Sequence, residues 1–343
     1  MTERAFRGRP TGRPHRLRAL VAGLTLVMTG CAAPAESPGP AADPAGSGAF
    51  PVTVEHKYGV TTIEAEPTRV VTLGLSDQDA VLALGVRPVG AVDWFKERPF
   101  GKWPWTKDVW GDAPPEVVGE RDEFNVERIA ALEPDLIIAQ YSGMKKEQYD
   151  TLSQLAPVVA QPKGHDDYAA PWQDMARPIG RALGQRARMD ELIAEIERRF
   201  ARVRAEHPEF AERTAVVADS FEPGAYVAFA RTDLKALLLT ELGFRFPPAV
   251  DALVRPGQNV AEFSAERLDL LDVDRLVWLN SSTEANERIR AEPLYQRLDV
   301  VREGRDLFVP YQDPDIGAAI SFNTVLSIPY AVDQLVPMLT AAR

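Results

Sequence analysis

The stretch ARMDELIAEIERRFARVRAE, residues Ala187 to Glu206, decides the fold. Met189, Leu192, Ile193, Ile196, Phe200 and Val203 recur at the spacing of one helical face. The acids Glu191, Glu195 and Glu197 precede Arg198, Arg199, Arg202 and Arg204, the order that suits the helix dipole and i,i+4 pairing. Pro208 ends the pattern. At 1.5 Å per residue such a rod is roughly 30 Å long, about the width of a small domain. Short β-branched strands alternate with helices on both sides of it, which predicts two α/β halves joined by one long helix.

On the N-terminal side, Val52 to Lys57 and Val60 to Ile63 predict a hairpin turning at Tyr58-Gly59. Strands are expected at Val70–Leu73, Val89–Val92, Leu136–Ala139 and Val158–Val159, with helices at Asp79–Leu84, Val126–Leu132 and Lys145–Leu155. A long aromatic loop runs from Asp93 to Trp110. On the C-terminal side the expected strands are Ala215–Ala218, Leu276–Leu279 and Leu307–Val309. Helices are expected at Asp233–Leu242 and from about Leu326 to Thr340. Alternation of this kind implies parallel sheets covered on both faces.

The halves carry an internal echo. Phe124-Asn125-Val126-Glu127-Arg128 leads through a helical pattern to Asp135 and a strand. Phe263-Ser264-Ala265-Glu266-Arg267 leads in the same way to Asp274 and a strand. In both, Asn125 or Ser264 is placed as an N-cap and Glu-Arg falls in the first turn. An N-terminal Glu favours the helix dipole in any such unit; two matched carboxylates, one per half, also suit a symmetric partner.

The N-terminus reads as a secretion signal: Arg4, Arg7, Arg9, Arg13, Arg16 and Arg18, then an apolar run from Ala19 to Met28. That run is too short for a membrane span, which takes about 20 residues. Thr29-Gly30-Cys31 resembles a bacterial lipobox with Met28 at the usual Leu position, which implies acylation of Cys31. Cys31 is the single cysteine of the chain, so no internal disulfide can form. Residues 1–31 are expected to be the signal and 32–50, rich in Ala, Pro, Gly and Ser, a flexible tether. The whole chain has 39 basic and 50 acidic residues, and removal of residues 1–31, with six bases and Glu3, leaves a net charge of −16. With no basic stripe, nucleic acid is not an expected partner.

Thr68–Leu73, Leu82–Gly90, the Phe124–Ile138 segment and Ser321–Pro337 together resemble the periplasmic-binding-protein-like ferric siderophore receptors. These are the helical-backbone solute-binding proteins of iron-chelate, haem and cobalamin importers. The resemblance implies two Rossmann-like lobes joined by a single backbone helix, the class III periplasmic-binding-protein fold. The lobes are expected at 51–184 and 213–343, with the connection at 185–212. It implies a lipid-anchored protein on the outer side of the cell membrane that captures a ferric siderophore between the lobes. Iron enters only through the siderophore, without a resident cofactor. Glu127 and Glu266 match the carboxylates that dock on an ABC permease dimer, which works with a cytoplasmic ATPase. Carried onto this chain, the cleft loops offer Trp94, Phe95, Arg98, Trp103, Trp105, Tyr141 and Ser142 from the first lobe. The second lobe offers Phe221, Tyr226, Arg231, Tyr311 and Phe322. Aromatic faces would bury the chelate's apolar backbone and Arg would supply paired donors. The basic candidates are Lys96, Arg98 and Arg231, too few for a strongly anionic catecholate, so hydroxamate or mixed chelates are at least as plausible.

Haem or cobalamin is the alternative cargo; haem would need an axial ligand such as Tyr141, Tyr226, Tyr311 or a His. An exported hydrolase is disfavoured. Gly74-Leu75-Ser76-Asp77-Gln78 lacks the closing Gly of a nucleophile elbow, and His56, His165 and His207 are scattered. The same scatter argues against a direct metal binder. No G-x-G-x-x-G follows the first strand.

Overall fold

The structure, a computed structural model, describes residues 50–93, 103–111, 114–279 and 282–341. The hairpin forms from β1 (Val52–His56) and β2 (Gly59–Ile63), antiparallel with Val52 opposite Ile63. Val54 and Ile63 point into the core and the alternate residues point to solvent.

The first lobe is built on β3 (Val70–Thr72), β4 (Gly90–Asp93), β5 (Glu116–Glu120), β6 (Glu123–Phe124), β7 (Leu136–Ile138) and β8 (Val158–Val159). Their order is β6-β5-β4-β3-β7-β8. From β3 the chain crosses to β4 on one side and returns as β7 on the other, so a topological switch point lies at the ends of β3 and β7. The second lobe holds β9 (Ala215–Glu222), β10 (Ala225–Phe229), β11 (Val260–Ser264), β12 (Arg275–Trp278) and β13 (Asp306–Phe308). Their order is β11-β10-β9-β12-β13.

The sheets depart from a purely parallel design at one edge each. β5–β6 and β9–β10 are antiparallel hairpins, and β11 adds antiparallel to β10. The β5–β6 turn is only Arg121-Asp122, too tight to register as an interruption in a strand-helix pattern. Among the described residues six further α-helices, Lys107–Trp110, Trp172–Ala182, Pro248–Asp251, Thr283–Ala291, Asp299–Arg302 and Ile316–Phe322, go beyond the sequence pattern. Every residue of Ile316–Phe322 is buried, so it has no polar face to give it a helical period.

The long helix spans Arg186–Glu206, and a 3-10 turn, Pro208–Glu212, follows. Met189, Ile193, Ile196, Phe200 and Val203 are its buried stripe. That stripe belongs to one hydrophobic core running from Val70 and Ile137 in the first lobe to Leu238 and Leu335 in the second. Gly180 permits the close approach of helix Trp172–Ala182 to the long helix, because a Cβ there would collide with Met189 Cβ. The far face of the second sheet has its own core around Trp278, Tyr295 and Tyr226.

The echo between halves is visible in hydrogen bonds. Asp135, just ahead of β7, accepts from the Thr68 amide and hydroxyl and from the Arg69 amide. Asp274, just ahead of β12, accepts from the Thr214 amide and hydroxyl. The two N-termini differ, however. Asn125 caps its helix by accepting from the Arg128 amide at 2.9 Å. Ser264 makes no cap; its hydroxyl donates to Glu266 at 3.2 Å, and Ala265–Leu271 winds as a kinked 3-10 segment instead of an α-helix.

Candidate functional site

At the switch point the Gly74–Asp77 loop after β3 meets the Gln140–Gly143 loop after β7. Asp77 joins them: its Oδ2 accepts from the Gln140 amide at 2.7 Å and its Oδ1 from the Tyr141 amide at 3.1 Å. Burial raises its pKa to about 6 against the pull of those amides. A Cβ at Gly74 would collide with this carboxylate, so the glycine is required. Ser76 is only 4 % exposed in the same loop, far from the exposed tip a nucleophile elbow provides.

Tyr141 stands beside this junction, its ring edge-on to Tyr168 at 5.3 Å. The Tyr168 hydroxyl donates to Asp122 Oδ2, and the Gly143 amide donates to Asp122 Oδ1 at 2.7 Å. The Arg121 guanidinium lies 6.0 Å from the Tyr168 ring centre. Arg121 and Tyr168 both hold left-handed backbone, φ 50° and 64°, unusual for side chains of this size. Strain of this kind persists where surrounding contacts enforce it, often at binding sites. From the second lobe, the charge of Asp233 and the phenol of Tyr311 act on Tyr141. Burial, then those neighbours, lift its phenol well above the usual tyrosine range.

Facing this cluster, Asp233 caps the helix Leu234–Glu241 by accepting from the Lys235 amide at 2.9 Å. Lys235 Nζ lies 3.2 Å from Asp233 Oδ1 and 4.2 Å from the Phe229 ring centre. Asn259 donates to the other Asp233 oxygen at 3.2 Å. Asp219 is raised to about 6 by burial, opposed by the Ser220 amide and the Lys235 charge.

An aromatic wall crosses between the lobes. Trp103 stacks on Trp105 at 5.1 Å and meets Phe322 at 4.2 Å, and Trp105 meets Tyr330 at 5.6 Å. Tyr311 packs against the same group. Beside it lies a small cavity of about 20 Å³ between the Ser76-Asp77 loop, Trp172 and Met175 on one side and Phe322 to Val325 on the other.

The site residues expected from sequence therefore separate. Trp103, Trp105, Tyr311 and Phe322 come together in the wall, and Tyr141 stands at the switch point. Tyr226 does not join them: it is buried in the second lobe's own core, 6.2 Å from Trp278 and 6.3 Å from Phe263. Ser142 is fully buried and spends its hydroxyl on the Ala139 carbonyl at 2.9 Å. Arg231 points to solvent, 3.9 Å from Asp251. Phe221 is 69 % exposed near the tip of the β9–β10 hairpin. Glu127 and Glu266 are both exposed, each just past an edge strand of its own lobe. Trp94, Phe95, Lys96, Arg98 and Cys31 lie outside the described residues. Sequence reasoning missed Arg121, Asp122, Tyr168, Asp233 and Lys235. The Gly119–Phe124 run, with one cation among acids, was the available signal for Arg121.

This geometry has known counterparts. The description "Periplasmic binding protein" matches residues 70–309, which spans both sheets. The chain belongs to the periplasmic binding protein family. This binding protein is 35 % identical to a periplasmic solute binding protein of Mycobacterium smegmatis str. MC2 155, with a TM-score of 0.75 over 85 % of this chain and 98 % of that one. It is 27 % identical to PiaA of Streptococcus pneumoniae TIGR4 in complex with ferrichrome, with a TM-score of 0.71 over 85 % and 98 % of the chains. It is 28 % identical to the "Probable siderophore-binding lipoprotein YfiY" of Bacillus subtilis (strain 168), covering 74 % of this chain and 78 % of the relative. The fold is thus that of the family: two α/β lobes, one long connecting helix, and the switch-point loops turned towards the second lobe.

Proposed function

We propose that this binding protein captures a ferric siderophore between the lobes 51–184 and 213–343 and delivers it to the permease dimer of an ABC importer. The observation that carries the reading is the cluster at the switch point. There Arg121, Tyr141 and Tyr168 meet Tyr311 and the Asp233–Lys235 pair of the second lobe, beside an aromatic wall. Ring faces suit the apolar frame of a chelate, and Arg121 supplies planar paired donors for its oxygens. Similarity to proteins named for siderophore and ferrichrome binding supports it. Iron enters as part of the cargo and needs no ligand from the chain. The exposed Glu127 and Glu266 dock on the permease, whose partner ATPase drives import. The protein works outside the cytoplasm, tethered through acylated Cys31.

Haem is less well served. Axial ligation by tyrosine uses the phenolate, and burial raises the phenols of Tyr141 and Tyr226. Tyr226 is also enclosed by its own lobe.

The test is tryptophan fluorescence titrated with ferric hydroxamates, ferric citrate, ferric catecholates and haemin. Quenching by a ferric chelate at micromolar or lower concentration is expected. No response to any chelate, with a Soret shift on adding haemin, would move the cargo to haem.

A further inference from the structure

One carboxylate ties the aromatic wall to both lobes. Asp79 Oδ2 accepts from the Trp105 indole N–H at 3.0 Å and from the Thr324 hydroxyl at 2.6 Å. Asp79 sits on the first-lobe helix Asp77–Ala83, and Thr324 joins the helices Ile316–Phe322 and Ser327–Ala341. Asp79 is 1 % exposed, and its Oδ1 has no hydrogen-bond partner among the described residues. Thr324 is itself fixed, its Oγ1 accepting from the Ser327 amide at 3.0 Å and the Leu326 amide at 3.3 Å. Two donors therefore converge on a single buried oxygen. Hydrogen bonds to an ionised acceptor are roughly twice as strong as neutral ones, so the charged form binds both donors best.

We propose that Asp79 is a positioning residue for the cargo cleft: its ionised carboxylate holds the Trp103–Trp105 wall against the second lobe, and its protonation slackens that wall. The link to cargo rests on the siderophore reading above; the coupling of Asp79 to Trp105 does not. The state of this latch changes near neutrality. Burial raises Asp79 to about 7, while Thr324 and Trp105 pull the other way.

The charged groups described on the surrounding elements are engaged elsewhere or exposed to solvent. Asp77, on the same helix, is committed to the Gln140 and Tyr141 amides. Lys107 and Asp108 of the short helix after Trp105 are exposed. Helix Trp172–Ala182 turns Trp172, Met175 and Ile179 to the cavity. Its Asp174 and Arg177 pair at 3.8 Å, and its Arg181 is also partnered. On the terminal helix, Tyr330 touches Trp105 by its ring and Asp333 pairs with Arg199 at 2.8 Å.

The experiment follows intrinsic fluorescence of the unliganded full chain from pH 5 to 9, because the Trp105 N–H donates directly to the titrating group. A transition centred near 7 is expected in the wild type and in Trp172→Phe. It is expected to vanish in Trp105→Phe and in Asp79→Asn, whose amide oxygen keeps an acceptor in place and preserves the fold. No transition in the wild type, or an unchanged one in Asp79→Asn, overturns the proposal. For whichever ferric chelate quenches best, affinity is expected to fall at least threefold from pH 8 to pH 6 in the wild type and to stay level in Asp79→Asn. Parallel pH profiles in the two proteins also overturn it. If no chelate binds, the siderophore reading fails and the ligand-free titration still decides the latch.

Discussion

Asp274 accepts from both the backbone amide and the hydroxyl of Thr214, at 2.7 and 2.8 Å, and Asp135 accepts the same two bonds from Thr68 at the same lengths. In each lobe this pair pins the start of the central strand to the start of its parallel neighbour. Burial alone would raise the Asp274 pKa, but the Thr214 bonds, with Arg305 and Arg213, leave it lowered. Its contribution is therefore present above the unfolded value of about 3.9 and lost as pH falls below it. Hydrogen bonds to a charged group are worth about 1.5–3 kcal/mol. Asp274→Ala is expected to cost about that much in urea denaturation at pH 7. A loss below about 0.5 kcal/mol would show the pair to be ornamental.

Glu127 and Glu266 are expected to separate capture from delivery. The double variant Glu127→Ala, Glu266→Ala should bind its chelate with unchanged affinity, because both side chains are exposed to solvent. Uptake of labelled ferric chelate by cells carrying the variant should be abolished. Normal uptake would end the docking role.

Arg121 and Arg231 make a contrasting pair. Arg121 is held in left-handed backbone beside Tyr168, whereas Arg231 points to solvent. Arg121→Ala should weaken chelate binding at least tenfold, about 1.4 kcal/mol, and Arg121→Lys should not restore it, since lysine lacks the planar fork. Arg231→Ala should change affinity less than twofold. The reverse ranking would return the second-lobe arginine to the site.

Three buried acids set the stability profile towards neutrality. Burial raises Asp77 to about 6, Asp79 to about 7 and Asp219 to about 6. A folded pKa above the unfolded one means that the folded state holds extra protons between roughly pH 4 and 7. Stability from these groups is full below pH 4, is lost as pH rises through that window, and levels off above 7. The Tm should be lower at pH 8 than at pH 5.5, with a shallower slope in Asp219→Asn. An identical slope in that variant would remove Asp219 from the account.

The fold was far more legible in the sequence than the site. The Ala187–Glu206 stripe, the β-branched runs at Val70 and Leu136, and the matched segments at Phe124 and Phe263 are local patterns, and local patterns survive without coordinates. Lys235 is the opposite case. Within its helix it reads as a solvated first-turn cation; only tertiary packing puts its ammonium beside Phe229 and Asp233. Tyr226 has the composition of a ligand contact, yet the side of β10 from which it projects sends it into the core. The pairing of Trp103 with Phe322 joins residues more than two hundred positions apart, which no spacing rule reaches.

The long helix has a thermodynamic consequence. Two lobes on a solvated linker would melt independently, each with its own transition. Here the stripe from Met189 to Val203 completes the core of both, so neither lobe can unfold without stripping its partner of apolar cover. The molecule should melt in one cooperative step. Cargo gripped by only a few side chains would then protect the entire body against heat and proteolysis.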